Sequence, residues 1–452
     1  MTTPFFYASF RQKQSKITAI SFAFLLVALY LLKCRAAWIG IVMAAVIYFG
    51  LEYDFIKWAK DKKNQMSVKA LAIVFCIILI PIGNQLYNSK KASSDGRKFI
   101  WKLSTLMVVE KPLLGYGYGL FEKEYNLFQA QYIEKGKATS EEMQNAGHVL
   151  VPHNEIFQNA VEGGLVGLTL LSFFIGSLLV ALKSRKSLVL SPKSLVESAN
   201  LEEDSESPQY SINNNRIFHL SFAGVFAFVI IAMVNVATQC IPAMTMFSIY
   251  AAIICCQVQP ISLPKWIAMK DNSIATTIKM GGIAISIFLL SSLVNTAIAD
   301  RQNKKASLLV VTKNYPEALK ILQKIQPKLQ QYPDYWKNLG LVYYKTKKYS
   351  DAIDCLNKAK SYSSDPELFL GKGYSYQKLG QYANAIIQFR LLILTKPSKF
   401  KYRNLLMQAY LKNKDIPNAK KAAQEIIDLK PKIPSRKVQY YKMKAKKVVS
   451  RS

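Results

Sequence analysis

Two hydropathy patterns divide the chain. Residues 17–299 carry long apolar runs, whereas residues 300–452 are polar and rich in Lys and Tyr. Seven runs approach the ~20 residues that a bilayer core demands of a helix. They predict membrane-spanning helices at about 17–33, 35–53, 67–87, 161–182, 217–238, 243–259 and 278–299. The first run passes straight into the second without a small-residue cleavage site, so it reads as an anchor and not as a cleavable leader.

Lys and Arg placement orients these helices, because cytoplasmic loops carry the basic excess. Arg11, Lys13 and Lys16 precede the first run, Lys57, Lys60, Lys62 and Lys63 follow the second, and Lys183, Arg185 and Lys186 follow the fourth. Lys265, Lys270 and Lys279 flank the loop from the sixth to the seventh. With alternating helices all of these share one side, the cytoplasmic one. The 88–160 loop and everything after residue 300 then lie outside. A loop of about 70 residues is rarely idle, and this one holds aromatic and Gly clusters. The 184–215 connection, with SANLEEDSESPQYSINNN, reads as a cytoplasmic linker.

The second half repeats. Ala318, Ala352, Ala385 and Ala419 are separated by 34, 33 and 34 residues, and Gly340 and Gly373 by 33. Tyr343, Tyr376 and Tyr410 keep the same phase, and Pro397 and Pro431 close two units. Small residues at fixed offsets let paired helices pack closely. The segment 336–359, WKNLGLVYYKTKKYSDAIDCLNKA, resembles the tetratricopeptide repeat. The resemblance implies four stacked helix pairs over 299–433 and a concave surface for a protein partner. The predicted fold class is therefore all-α: a polytopic membrane bundle (1–299), a tetratricopeptide-type solenoid (300–433) and a basic tail (434–452).

Composition sharpens this picture. Apolar residues make up 51% of the chain and charged residues 19%, below the roughly 25% charged of soluble domains. The net charge is +32, and residues 300–452 hold 33 Lys and Arg against 10 Asp and Glu. A basic surface suits a nucleic acid, an anionic membrane or an anionic polymer; an external location argues against nucleic acid. The six Cys show no C-x-x-C spacing, and with three His a His-rich metal site is not expected.

Two motif blocks carry candidate chemistry. SDGRKFIW (94–101) is followed by EKPLLGYGYGLF (110–121), and HNEIFQNAVEGGLVGL spans 153–168. With CRAAWIG (34–40), they resemble the O-antigen ligase and O-antigen polymerase superfamily over residues 20 to about 260. The matching positions are Arg35; Arg97; Pro112, Gly115, Gly117, Gly119 and Phe121; His153 and Asn154; Glu162, Gly164 and Gly167. The resemblance implies transfer of a glycan from undecaprenyl diphosphate to an acceptor hydroxyl at the periplasmic face of a bacterial inner membrane, without metal or other cofactor. The acceptor is lipid A-core, another glycan or a protein.

The residue types suit that chemistry. A leaving diphosphate is stabilised by the planar fork of Arg, here Arg35 and Arg97. An acceptor hydroxyl gains from a base of near-neutral pKa, here His153. Asn154, Glu162, Gly115, Gly117 and Gly119 are candidate substrate-binding residues. Read alone, Arg35 is an interfacial anchor beside Lys33, and Arg97 a solvated loop charge. Gly164 and Gly167 read as close helix-packing positions. The three loop glycines lack the preceding strand and the Lys-Ser/Thr of a nucleotide loop, so they read as a tight turn. The resemblance also implies several helices before Arg35, where this chain supplies about one. A membrane-anchored repeat scaffold for polysaccharide assembly or export therefore stands as the alternative, alongside an O-antigen polymerase.

Overall fold

The computed structural model describes residues 35–53, 55–67, 91–189, 208–233, 235, 238, 240–257 and 272–450, plus isolated positions 20, 23, 24, 27 and 31. Among the described residues all the elements are helical. In chain order they begin with α1 (Arg35–Glu52), α2 (Phe55–Lys60), α3 (Lys91–Glu110), α4 (Phe121–Glu134), α5 (Ser140–Asn145) and α6 (Glu155–Val189). Next come α7 (Pro208–Ala232), α8 (Ile241–Cys256) and α9 (Asn272–Val311). The repeats follow with α10 (Tyr315–Leu329), α11 (Pro333–Lys345), α12 (Tyr349–Lys360), α13 (Pro366–Lys378) and α14 (Tyr382–Thr395). The last helices are α15 (Phe400–Lys412), α16 (Ile416–Asp428) and α17 (Arg436–Val449).

Five expected spans fall on α1, α6, α7, α8 and α9. Those at 17–33 and 67–87, and the centre of the 184–215 linker, lie outside the described residues apart from isolated positions. Two described stretches, Glu155–Ala181 and Met280–Val311, are long and apolar enough to cross a bilayer. Ala37–Glu52, Arg216–Ala232 and Ile241–Cys256 are apolar but shorter. Seven spans were expected, and two full-length candidates are described.

The chain forms two compact units. The first comprises Met1–Arg97, Val108–Gly115 and Val151–Ile261. Here α1 and α7 lie antiparallel. Gly40 faces Ile231 near one end, and Glu52 at the other end accepts from Arg216 Nε at 3.0 Å and meets His219 Nδ1 at 3.0 Å. A Cβ at Gly40 would stand 2.5 Å from Ile231 Cδ1, and one at Gly224 would stand 2.6 Å from the Tyr250 ring. Small residues thus set the close approach of these helices. Phe218, Phe222 and Val225 of α7 bury against Tyr250 and Ile254 of α8.

The second unit comprises Lys98–Met107, Tyr116–Leu150 and Ser262–Ser452. Its solenoid shows four helix hairpins, the first made by the end of α9 with α10. The expected border at 299–300 falls inside α9: Ile283, Phe288 and Leu293 are exposed, and Ala299, Ala306 and Val310 are buried in the repeat core. Ala318, Ala352, Ala385 and Ala419 are all fully buried, which is why their spacing is regular. Each hairpin turns on one left-handed residue: Lys313, Lys347, Gly380 and Lys414, with φ of 64°, 65°, 76° and 60°. The tail becomes α17, capped by Ser435. It buries Ala445 against Ala423 and Ile426 of α16.

Most of the expected outer loop joins this unit. Phe121 and Tyr125 of α4 stack and are fully buried. Gln129 Nε2 donates to Thr395 O at the end of α14, 3.3 Å. Glu122 accepts from Ser364 N at 3.2 Å and Ser364 Oγ at 2.8 Å, and lies 2.5 Å from His148 Nε2. Burial alone would raise the Glu122 carboxyl pKa. Hydrogen bonds from His148, Ser364 and Ser363 outweigh it and hold the group below its ordinary value. A carboxylate depressed on folding stabilises the folded state above its unfolded pKa, and loses that contribution as pH falls through the folded one. Glu122→Ala should therefore loosen segment 116–150 by about 2 kcal/mol at neutral pH. Amide exchange of α4 checks this, and the difference from wild type should shrink as pH drops below about 4.5.

Candidate functional site

The second motif block builds a helix start. Asn154 caps α6: its Oδ1 accepts from Ile156 N at 2.8 Å and Phe157 N at 3.1 Å. This satisfies two of the free amides that every helix N-terminus presents. His153, just before the cap, has a positive φ of 55°. A non-glycine residue in that region carries strain, which concentrates at functional sites.

The first block is stitched into α6 nearly three turns later. Gly164 breaks the helix, with φ 57° and ψ −148°. The break releases two amides, and the loop takes both: Leu165 N donates to Pro112 O at 2.8 Å and Val166 N to Leu113 O at 3.3 Å. The two backbones touch. A Cβ at Gly115 would lie 2.5 Å from Val161 O, and one at Gly164 would lie 2.5 Å from Leu113 O. Gly164 was expected to bring helices together; it instead seats a loop in a helix break. Gly115, Gly117 and Gly119 all adopt positive φ (65°, 100° and 80°), as a tight turn requires. Glu162 is buried on α6, within 3.4 Å of Gln158 Nε2.

Arg97 lies in α3, and its charge reaches His153. Burial lowers the imidazole pKa below its ordinary value, the Arg97 charge pushes the same way, and the Asn235 side chain opposes both. His153 Nδ1 is buried and finds no hydrogen-bond partner among the described residues. Such an atom marks a place for a substrate group or an ordered water. Arg35 opens α1. The antiparallel register sets Gly40 beside Ile231, so the Arg35 end of α1 lies at the Asn235 end of α7. The structure thus brings Arg97 to His153 and places the backbone of Arg35 at the same end of the bundle.

Three residues were not singled out from sequence. Glu155 opens α6, is 7% exposed, and accepts from Thr238 N at 3.1 Å and from Thr238 Oγ1. This pins Thr238, three positions after Asn235, to the start of α6. The signal was available in part, as an acidic residue following His-Asn. The partners Asn235 and Thr238 sit over 80 positions later without a motif. Beside Glu155 an apolar cavity of about 210 Å³ opens between α6, α7 and α8, walled by Phe174, Phe228, Met233 and Phe247.

The chain therefore joins a helical domain, its loop turn seated in a broken apolar helix, to an α-solenoid. The O-antigen ligase family model matches residues 20–172, and tetratricopeptide repeat models match 333–364 and 366–399. The chain thus combines an O-antigen ligase domain with C-terminal tetratricopeptide repeats. The outer two hairpins adopt the same helix-pair form. A BBSome complex member, BBS4, of Bos taurus is 26% identical over 168 residues, 35% of this chain. The chain covers 32% of that relative's length. Among solved structures, a MamA double mutant (RS-1 ArsTM) is 17% identical with a TM-score of 0.28, over 33% of this chain and 93% of that one. The Cut9-Hcn1 hetero-tetramer of the APC/C is 15% identical with a TM-score of 0.28, over 72% and 55%.

The Gly164 contact yields a direct test. Gly164→Ala forces a side chain into positive φ and against the Leu113 carbonyl, so it should cost several kcal/mol locally and detach the 110–120 turn. Limited proteolysis of the turn, read against an unchanged repeat module, checks this; a turn as protected as wild type would contradict it.

Proposed function

We propose that this chain is a membrane glycosyltransferase of the O-antigen ligase type. It moves a glycan from undecaprenyl diphosphate to an acceptor hydroxyl at the periplasmic face of the inner membrane. The observation that carries the reading is the imidazole of His153. It is held toward its neutral form beside Arg97, at the start of an apolar helix long enough to cross a bilayer. The O-antigen ligase match over this region supports it.

The chemistry is a substitution at the anomeric carbon. His153 takes the acceptor hydroxyl proton as the new C–O bond forms. The bond to the diphosphate oxygen breaks, and its electron pair leaves with the phosphate. Arg97 and Arg35 meet that charge as it develops, where it counts most for rate. Asn154 keeps the His153 turn in place, Glu162 and the glycines hold the 110–120 turn, and Glu155 positions Asn235. The apolar cavity beside Glu155 suits part of a lipid chain. The acceptor is lipid A-core, another glycan or a protein hydroxyl. The basic repeats face the periplasm and hold a protein partner.

Cells lacking the native gene, supplied with wild type or His153→Ala at matched membrane levels, test this reading. Gels separate lipid-linked, lipid A-linked and protein-linked glycan. Transfer by wild type and its loss by 10²-fold or more in the variant is the expected result. No transfer by either chain would overturn the enzyme reading in favour of a membrane-anchored repeat scaffold. Arg97→Lys, which replaces a fork by a point charge, should lose at least tenfold. The acid limb of the wild-type pH profile should lie below about 6.5, the ordinary imidazole value, because both burial and Arg97 depress it. A reporter fused after Ser452 should be active only in the periplasm.

A further inference from the structure

A cleft of about 450 Å³ lies where the outer segment meets the repeats, wholly inside the second unit. One wall is the turn Tyr118–Leu120 with Glu122, His148 and Leu150; the other is Pro333, Asp334, Tyr362 and Asp365, among others. Tyr118 is 63% exposed and Tyr362 39% exposed. Both offer ring surface to a ligand.

The place of the cleft follows from helix direction. The end of α9 is the first helix of the solenoid, and α10 runs back beside it. Asn338 near the start of α11 donates to Asn303 on α9 at 3.0 Å, so α11 begins level with the point where α9 enters the repeats. The turns before α11 and before α13 therefore share one edge of the solenoid, the edge from which the exposed apolar stretch of α9 departs. The cleft lies on that edge.

Carboxylates outnumber cations here. Lys337 Nζ bridges Asp334 and Asp365, each at 2.9 Å, and lies 3.5 Å from Glu367, and Glu122 faces His148. Four carboxylates stand beside one ammonium, so the cleft does not suit an anion. The carboxylates still keep lone pairs that accept hydrogen bonds. Exposed aromatic faces flanked by carboxylates with lone pairs to spare match the two surfaces of a pyranose: an apolar C–H face for the ring and hydroxyl edges for the carboxylates.

We propose that this cleft binds an uncharged, hydroxyl-rich saccharide, with Tyr118 and Tyr362 stacking on sugar rings and Asp334 and Asp365 accepting from hydroxyls. It is a glycan-holding site contributed jointly by the outer segment and the repeats. The proposal rests on the transferase reading for its source of ligand: a glycan chain on its carrier at the membrane-facing edge of the solenoid.

The test uses the full chain in lipid nanodiscs. The probe is the host's lipid-linked glycan, freed from its carrier by mild acid, and the readout is saturation transfer to sugar C–H protons by NMR. Wild type should bind. Tyr118→Ala and Tyr362→Ala should each weaken binding roughly fivefold, the scale of one lost stacking contact, and Tyr→Phe at either site should restore it. Asp334→Asn, at an exposed position, should weaken binding without touching either ring. In the transfer assay the Ala variants should raise KM and leave kcat within twofold. Binding unchanged in both Ala variants would overturn the proposal. So would a cleft that takes only a peptide, detected with an acceptor-derived peptide in the same assay. The two readings fail separately. Glycan bound through Tyr118 and Tyr362 by a chain that transfers nothing would remove the transferase and leave the cleft. Normal transfer and no loss of binding in the Ala variants would remove the cleft and leave the transferase.

Discussion

The backbone contact between Gly115 and the Gly164 break is the constraint on which the rest of the membrane unit depends. Two amides freed by the break are satisfied by the carbonyls of Pro112 and Leu113. An apolar helix cannot leave such groups unpaired, because a buried amide without a partner costs about 1–3 kcal/mol. The loop is therefore a structural part of α6. Nearly three turns upstream, the same helix begins after its cap Asn154, with His153 just outside it. Fixing the turn to the break fixes how the chain passes from α3 to α6, and with it the company that Arg97 keeps with His153.

A second coupling runs through the other unit. The first repeat helix is the continuation of an apolar helix, with no linker between them, and Glu122, Asn126 and Gln129 fasten the outer segment to itself and to the repeats. Asn126 both donates to Val149 O and accepts from Val149 N, at 2.8 and 2.9 Å, closing the 121–150 segment into a compact piece. Outer segment and solenoid share one compact unit, so they lie on the same side of any bilayer that α9 crosses.

Much of this was legible in the sequence because spacing carries it. The 34-residue phase of Ala318, Ala352, Ala385 and Ala419 reports side chains that are fully buried, and a buried small residue cannot drift. The glycines at 115, 117 and 119 were read as a tight turn, which their positive φ values bear out. Gly164 was read as helix packing. A glycine that breaks a helix and one that packs against a helix look alike in a sequence, since both answer to the missing Cβ. The border expected at residue 299 marks a change of hydropathy, and α9 passes through it unbroken because backbone hydrogen bonding is indifferent to the solvent outside. Asn235 and Thr238 were invisible for a different reason: their partners, His153 and Glu155, lie more than 80 positions away. His148 was illegible in the same way, its partner Glu122 lying 26 residues earlier.

The central claim is that Arg97 and His153 act as one electrostatic unit, with the imidazole kept neutral for proton transfer. An NMR titration of 13C-labelled histidine in nanodiscs addresses it without relying on activity, since His148→Gln and His219→Gln assign the three resonances. The account predicts a His153 pKa below about 6.5 that rises when Arg97 is replaced by Gln. A value at or above 6.5, unmoved by that replacement, would contradict it.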